Sequence, residues 1–293
     1  MKKIRIIPRL DIKGPNLVKG IHLEGLRVLG KPEVFTRKYY EDGADEILYI
    51  DSVASLYGRN HLSEIVRKAA ENIFIPLIVG GGVRSVEDIR GLLRSGADKI
   101  AVNTAALKNP DLIRQAAKSF GSQCVVVSIV AIRRGRGCYE CLTDNAREKT
   151  GVDAIEWAKK AEALGAGELL VTSVDREGTG SGYETDLLRP ICEQAKIPVI
   201  AFGGAGTSEH VLDVTRAGVD AVAAASLFHY GVLGIMQNRL GISGEGNFEF
   251  LQKKLPIDGL LRKSIRPVSI ADLKEYLAQN GVHCRRAKKA EVV

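Results

Sequence analysis

The octapeptide Ile75-Pro-Leu-Ile-Val-Gly-Gly-Gly82 decides the fold. A short apolar run that ends in glycines reads as a buried strand entering a turn. Ser-Val-Glu-Asp follows from Ser85, a helix N-terminal signal, so Ser85–Ser95 is expected to be a helix. The octapeptide recurs as Ile197-Pro-Val-Ile-Ala-Phe-Gly-Gly204. Two more stretches recur with it. Gly43-Ala-Asp-Glu-Ile-Leu-Tyr-Ile-Asp51 returns as Gly165-Ala-Gly-Glu-Leu-Leu-Val-Thr-Ser173, and Gly96-Ala-Asp-Lys-Ile-Ala-Val-Asn-Thr104 as Gly218-Val-Asp-Ala-Val-Ala-Ala-Ala-Ser226. All three lie 122 residues from their copies. A shared offset implies that the chain is two copies of one unit.

Working outward, strands alternate with amphipathic helices. Strands are expected at Ile4–Leu10, Glu46–Asp51, Ile75–Val79, Lys99–Val102, Cys124–Ala131, Glu168–Val174, Ile197–Phe202 and Ala221–Ala225. Helices are expected at Pro32–Asp42, His61–Asn72, Ser85–Ser95, Pro110–Phe120, Asp153–Leu164, Thr185–Gln194 and Ser208–Ala217, with Trp157 and Leu164 on a buried face. Eight βα units in duplicated halves argue for a (β/α)8 TIM barrel over an open sheet. The expected organisation is a single domain over 1–293, with half-barrels of about 1–120 and 121–293.

Bulk properties narrow the function. At 293 residues, 45% hydrophobic and 26% charged, the chain suits one large barrel. No apolar run reaches the ~18 residues a membrane span needs. The charged start Met-Lys-Lys-Ile-Arg does not read as a secretory signal. Five scattered cysteines suit reduced thiols, so a cytoplasmic protein is expected. The net charge of +7 would fit nucleic acid, but only 5% of residues are aromatic, too few for a base-stacking platform. A phosphorylated small molecule fits that charge better.

The chemistry gathers at strand ends, since the carboxyl ends of barrel strands form the active face. Leu10-Asp-Ile-Lys-Gly-Pro-Asn-Leu-Val-Lys19 places Asp11 at the end of the first strand. It suits a general acid or base, or a structural partner of Lys13 or Lys19. Asp51, ending the second strand, carries the same alternatives. Gly80, Gly81 and Gly82, followed later by Asn103 and Thr104, could form a phosphate cradle. Gly203, Gly204, Ala205 and Gly206 with Ala225 and Ser226 would form its copy, which suits a substrate with a phosphate at each end. The stretch Lys13–Lys31 is long for a βα connection and reads as a lid carrying Lys19, or as a solvated loop. The small-residue loop Gly178–Ser181, with Asp175 and Glu177 just before it, could line the pocket. Cys138 and Cys141 form a C-x-x-C without a second pair at zinc spacing, so no metal is expected. No G-x-S-x-G elbow occurs.

Read together, these blocks resemble the cyclase subunit (HisF) family of imidazole glycerol phosphate synthase. The likeness covers roughly 1–230 and 272–282. It is carried by Leu10-Asp-Ile-Lys13, Leu17-Val-Lys-Gly20, Val79-Gly-Gly-Gly82, Asn103-Thr-Ala-Ala106, Phe120-Gly-Ser-Gln123, Thr172-Ser-Val-Asp-Arg-Glu-Gly-Thr179 and Gly203-Gly-Ala-Gly206. The resemblance implies an enzyme of histidine biosynthesis without a cofactor. It would take ammonia from a glutaminase subunit (HisH-like), joined as a heterodimer. A bis-phosphorylated ribonucleotide aminal would be cleaved and cyclised to imidazole glycerol phosphate and an aminoimidazole carboxamide ribotide. It implies Asp11 as acid/base and Lys19 as a loop contact. Gly81, Gly82, Asn103 and Thr104 would serve one phosphate. Thr172, Gly178, Gly203, Gly204, Ala225 and Ser226 would serve the other. Arg5, Glu46, Lys99 and Glu168 match a charged ring that gates ammonia at the end where the glutaminase docks.

The chain departs from that family at five places. Val130 stands where the family has a second catalytic aspartate, and Phe202 where it has serine. Arg9 replaces a small residue, Thr143-Asp-Asn-Ala146 replaces a Ser-Gly loop, and about 231–267 reads as an insertion that could cap the active face or contact a partner. These departures define two further readings. One is a diverged paralogue delivering ammonia to amidate a nucleotide sugar for surface polysaccharide. The other is a non-catalytic phosphate-binding partner of a glutaminase.

Overall fold

Strand β1 (Arg5–Lys13) is buried along almost its whole length, as a strand flanked on both sides must be. Seven parallel strands complete a ring with it: β4 (Ile47–Asp51), β5 (Leu77–Gly80), β6 (Lys99–Val102), β7 (Val125–Gly135), β10 (Glu168–Ser173), β11 (Val199–Phe202) and β12 (Ala221–Ala224). The β1–β12 and β7–β10 pairings close it into a barrel. The computed structural model describes residues 2–54, 62–239 and 264–285.

Side chains alternate across each strand. Ile7, Leu48, Ile78, Val126, Leu170 and Ile200 point inward and form a packed inner core. Their neighbours Ile6, Ile47, Tyr49, Val79, Val127 and Leu169 point outward beneath the helices. Those helices are α1 (Pro32–Glu41), α2 (Leu62–Ala70), α3 (Val86–Arg94), α4 (Thr104–Lys108), α5 (Asp111–Phe120), α6 (Ala154–Ala163), α7 (Thr185–Gln194), α8 (Ser208–Thr215), α9 (Ser226–Arg239) and α10 (Ile270–Gln279). Ser85 caps α3 in a reciprocal box with Asp88, as its sequence predicts. Trp157 is buried on α6, and Leu164 ends that helix half-buried against the core.

One expectation is corrected. The long connection after β1 is not an irregular loop. It folds into an antiparallel extension of β1, with β2 (Asn16–Ile21) and β3 (Glu24–Gly30). Gly14 takes φ +56°, which the tight turn between β1 and β2 requires. The second half repeats the device with β8 (Cys138–Thr143) and β9 (Glu148–Asp153). This places the C-x-x-C on a strand, with Cys138 exposed and Cys141 buried. Of the stretch 231–267, residues 231–239 continue α9. Residues 240–263 lie outside the described residues.

Register makes the repeat quantitative. Asp11 pairs with Ile50, and Val130 pairs with Thr172. Ile50 and Thr172 are equivalents at the 122-residue offset, so Asp11 and Val130 occupy the same position in the two halves. The shift between β1 and β7 is therefore 119 residues, so the second half carries three more residues between Val130 and Thr172 than the first does between Asp11 and Ile50. No helix among the described residues is long and apolar enough to cross a membrane.

His229 on α9 is wholly buried, with Nδ1 2.5 Å from the Tyr39 hydroxyl. Burial, and then the charge of Lys19, push its pKa down to about 3 from 6.5. A lowered value keeps its contribution intact above about pH 6.5 and loses it as pH falls toward about 3. His229→Gln, which keeps an acceptor for Tyr39, should flatten the fall in melting temperature between about pH 6.5 and 4. An equally steep fall in that variant would contradict the assignment.

Candidate active site

At the amino end of the barrel, Arg5, Glu46, Lys99 and Glu168 meet inside the ring of strands. Arg5 bonds Glu46 at 2.5 Å and also bonds Glu168. Lys99 bonds each carboxylate at 2.9 Å. Two cations and two carboxylates therefore alternate in a closed, neutral ring. Burial works against the charge of Arg5, but Glu168 and Glu46 outweigh it and hold its pKa above the usual guanidinium value. Above the ring lies the apolar inner core.

At the carboxyl end the strands present the predicted residues in two groups. Gly81, Gly82, Asn103 and Thr104 line a cavity of about 500 Å³ together with Arg9, Ser52, Ser128 and Val130. Gly81 has φ +103°, and a Cβ there would stand 2.4 Å from the Asp51 carbonyl oxygen, so only glycine fits. Asn103 Oδ1 is buried without a partner among the described residues. The tip of the β8–β9 hairpin leans onto this cradle: Asp144 N–H donates to Thr104 Oγ1 at 3.0 Å, and Lys108 Nζ donates to Asp144 at 3.1 Å. Asp51 also lines the cavity, and its carboxylate accepts the Val53 and Ala54 N–H groups, which fixes the turn after β4.

Gly178, Gly203, Gly204, Ala225 and Ser226 also come together, with Glu177 and Phe202, but the space they enclose is only about 10 Å³. The two symmetric cradles are thus unequal, one open and one nearly filled. Thr172 lines neither. It is wholly buried between Phe202 and Val130 on the flanking strands, and its hydroxyl has no partner among the described residues.

Asp11 is buried at the mouth, where its ion pair is with Arg9. Arg9 donates to Asp11 Oδ1 through Nε at 3.0 Å and Nη2 at 2.8 Å. Ser52 Oγ reaches the same oxygen at 3.4 Å. The guanidinium also stacks on the Phe202 ring, 4.0 Å from its centre. Two of the departures noted in the sequence, Arg9 and Phe202, therefore touch. Lys19 is buried, donates to the Gly20 carbonyl at 3.0 Å and lies over the Tyr230 ring. Val130 packs with Leu23, Leu142 and Val174, an apolar wall with no proton to give.

Glu177 is the other buried carboxyl here. Its Oε2 accepts the Leu23 N–H at 2.8 Å. Burial raises its pKa, the Leu23 amide draws it back, the charge of Asp11 raises it again, and Arg9 and Lys19 offset part of that. Asp175 points away and accepts the Arg133 N–H at 2.8 Å. Sequence reasoning missed Arg9 and Ser52 as site residues. The spacing of two from Arg9 to Asp11 on a strand puts both on one face and was the available signal. Among the described residues no cluster of His, Cys, Asp and Glu could hold a metal ion.

The charged ring sets a stability expectation. Arg5→Leu leaves Glu46 and Glu168 facing each other with Lys99 alone, a loss of about 3–5 kcal/mol in urea unfolding. A loss below about 1 kcal/mol would show that the ring is not a coupled unit.

Comparison with known proteins agrees with this architecture. A family model described as histidine biosynthesis protein matches residues 5–234. The imidazole glycerol phosphate synthase subunit HisF of Legionella pneumophila is 58% identical over 209 residues, 71% of this chain and 99% of the relative. The protein of the same name from Pyrobaculum aerophilum is 50% identical over 236 residues, 80% of this chain and 93% of the relative.

Proposed function

We propose a reaction from one premise: this chain belongs to the histidine biosynthesis protein family. It is the cyclase subunit of an imidazole glycerol phosphate synthase. The observation that carries this reading is the stack along one barrel axis: charged ring below, apolar interior, then Asp11 and a glycine-lined cavity at the mouth. Both relatives are named as subunits, which supports an assembly with a second chain. That second chain is a glutaminase seated on the amino end, beneath the ring. Ammonia released there enters past Arg5, Glu46, Lys99 and Glu168 and crosses an interior that gives it no proton.

The substrate is a bis-phosphorylated ribonucleotide aminal. Gly81, Gly82, Asn103 and Thr104 hold one phosphate, and the cradle of Gly178, Gly203, Gly204, Ala225 and Ser226 opens to take the other. Lys19 anchors the β2–β3 hairpin beside the mouth. Asp11 accepts and returns protons as the aminal is cleaved and the ring closes. Position 130 supplies none. We assign the second proton to Glu177, buried between the Leu23 amide and the second cradle, where its raised pKa keeps it protonated to higher pH than an ordinary glutamate. The nearly filled second cradle favours one further reading, in which ammonia is handed to another acceptor, such as a nucleotide sugar.

Turnover of the purified chain with the aminal and excess ammonium salt tests this. The native protein should form imidazole glycerol phosphate, and Asp11→Asn should lose about 10²–10⁴-fold in kcat. Native protein without turnover would overturn the cyclase reading and leave the other acceptor. Glu177→Gln should lose about 10²-fold and remove the decline of the native profile on its alkaline side, where a proton donor of raised pKa is spent. An unchanged rate and profile in that variant would remove Glu177 from the chemistry.

A further inference from the structure

Asp11 does not present two equivalent oxygens. Oδ1 takes both Arg9 donors, and Ser52 approaches the same atom. Oδ2 accepts no hydrogen bond among the described residues, and it is not one of the enclosed, unpartnered atoms. The carboxylate is therefore turned, with one oxygen engaged and the other open. A guanidinium can do this because its Nε and Nη2 donors form a rigid fork.

A lone arginine side chain has many rotamers and would not fix that orientation. Phe202 removes the freedom. Its ring supports one face of the guanidinium, 4.0 Å from the ring centre, and both residues are about 4% exposed. Arg9 lies on β1 and Phe202 on β11, with β12 between them. The inner face of β12 is built from Ala221 and Ala223, and Ala225 follows, so no large side chain separates the guanidinium from the ring. Arg9 also lines the open cavity, which puts the engaged pair at the edge of the substrate space.

We propose that Arg9, braced by Phe202, is a positioning residue that orients Asp11 so that Oδ2 alone exchanges the proton. This role rests on the reading of Asp11 as the acid/base. It predicts a defect in kcat and not in binding, since Arg9 is already committed to Asp11.

The test compares native protein with Arg9→Gln, Arg9→Lys, Phe202→Leu and the double variant Arg9→Gln/Phe202→Leu, with the aminal and saturating ammonium. Melting temperatures establish that each variant is folded, and Phe202→Leu leaves every charge in place should Arg9→Gln fail to fold. Arg9→Gln should lose about 10- to 100-fold in kcat with KM within about twofold. Arg9→Lys should not restore the rate, because an ammonium cannot both stack and fork. Phe202→Leu should lose about 3- to 10-fold, and the double variant should be no slower than Arg9→Gln, because Phe202 acts only through Arg9. An unchanged kcat in Arg9→Gln, a raised KM with unchanged kcat, or multiplying losses in the double variant would each overturn the role. Those outcomes need a native protein that turns over. A native protein without turnover overturns the underlying reading and the role together.

Discussion

The backbone ladder between β7 and β10 closes the barrel, and the height at which it closes sets every side chain at the mouth. It pairs Val130 with Thr172 on one side, while β1 and β4 pair Asp11 with Ile50 on the other. A slip by one residue would turn each of these side chains to the opposite face. The same ladder sets the floor. Glu168 pairs with Val126 at the start of β10, so its carboxylate reaches inward to Arg5 and Lys99. Floor and mouth are thus two consequences of one closure, separated by the apolar side chains of the inner core.

Charge is handled differently at the two ends. The floor is balanced within itself, each carboxylate bonded by both cations. At the mouth, Asp11 has Arg9 as its ion-pair partner, and Arg9 has a hydrophobic ring behind it. Across the axis, where the symmetry would place a second acid, Val130 is walled by Leu23, Leu142 and Val174. The mouth is therefore polar on the β1 side and apolar on the β7 side, although the backbone of the two halves is equivalent. Leu23 reaches that wall from the tip of the β2–β3 hairpin, where it takes φ +63°, and Asn145 of the opposite hairpin donates to its carbonyl at 3.2 Å. Glu177 accepts the Leu23 amide N–H, so one buried carboxyl secures the hairpin, and the charge of Asp11 adds to the rise in its pKa.

The barrel and its duplication were legible because buried parallel strands read as continuous apolar runs, and two of them at the 122-residue offset, β5 and β11, run into paired glycines. Lys99–Val102 and Thr185–Gln194 fall at the expected residues. The two hairpins were not legible, because Asn16–Ile21 and Glu24–Gly30 mix charge with apolar residues and borrow their pairing from β1. The ring of Arg5, Glu46, Lys99 and Glu168 could be named from the resemblance, and its geometry agrees. The Arg9–Phe202 contact could not be read, since the residues are far apart in sequence and meet only because β12 is alanine-lined. Thr172 fell within a matched motif, yet whether it reaches a cavity depends on the bulk of its neighbours Val130 and Phe202. The inequality of the two cradles is a matter of volume, which motif reading does not report.

With Asp11, held by Arg9, and Glu177 as the proposed proton carriers, position 130 is left without a part in proton transfer. The most direct measurement is kcat/KM of Val130→Asp beside the native protein. Leu23, Leu142 and Val174 would strip water from a carboxylate there, so the variant should turn over within about threefold of native or slower. A gain of about 10²-fold or more would contradict it, and would mean that position 130 still governs the chemistry.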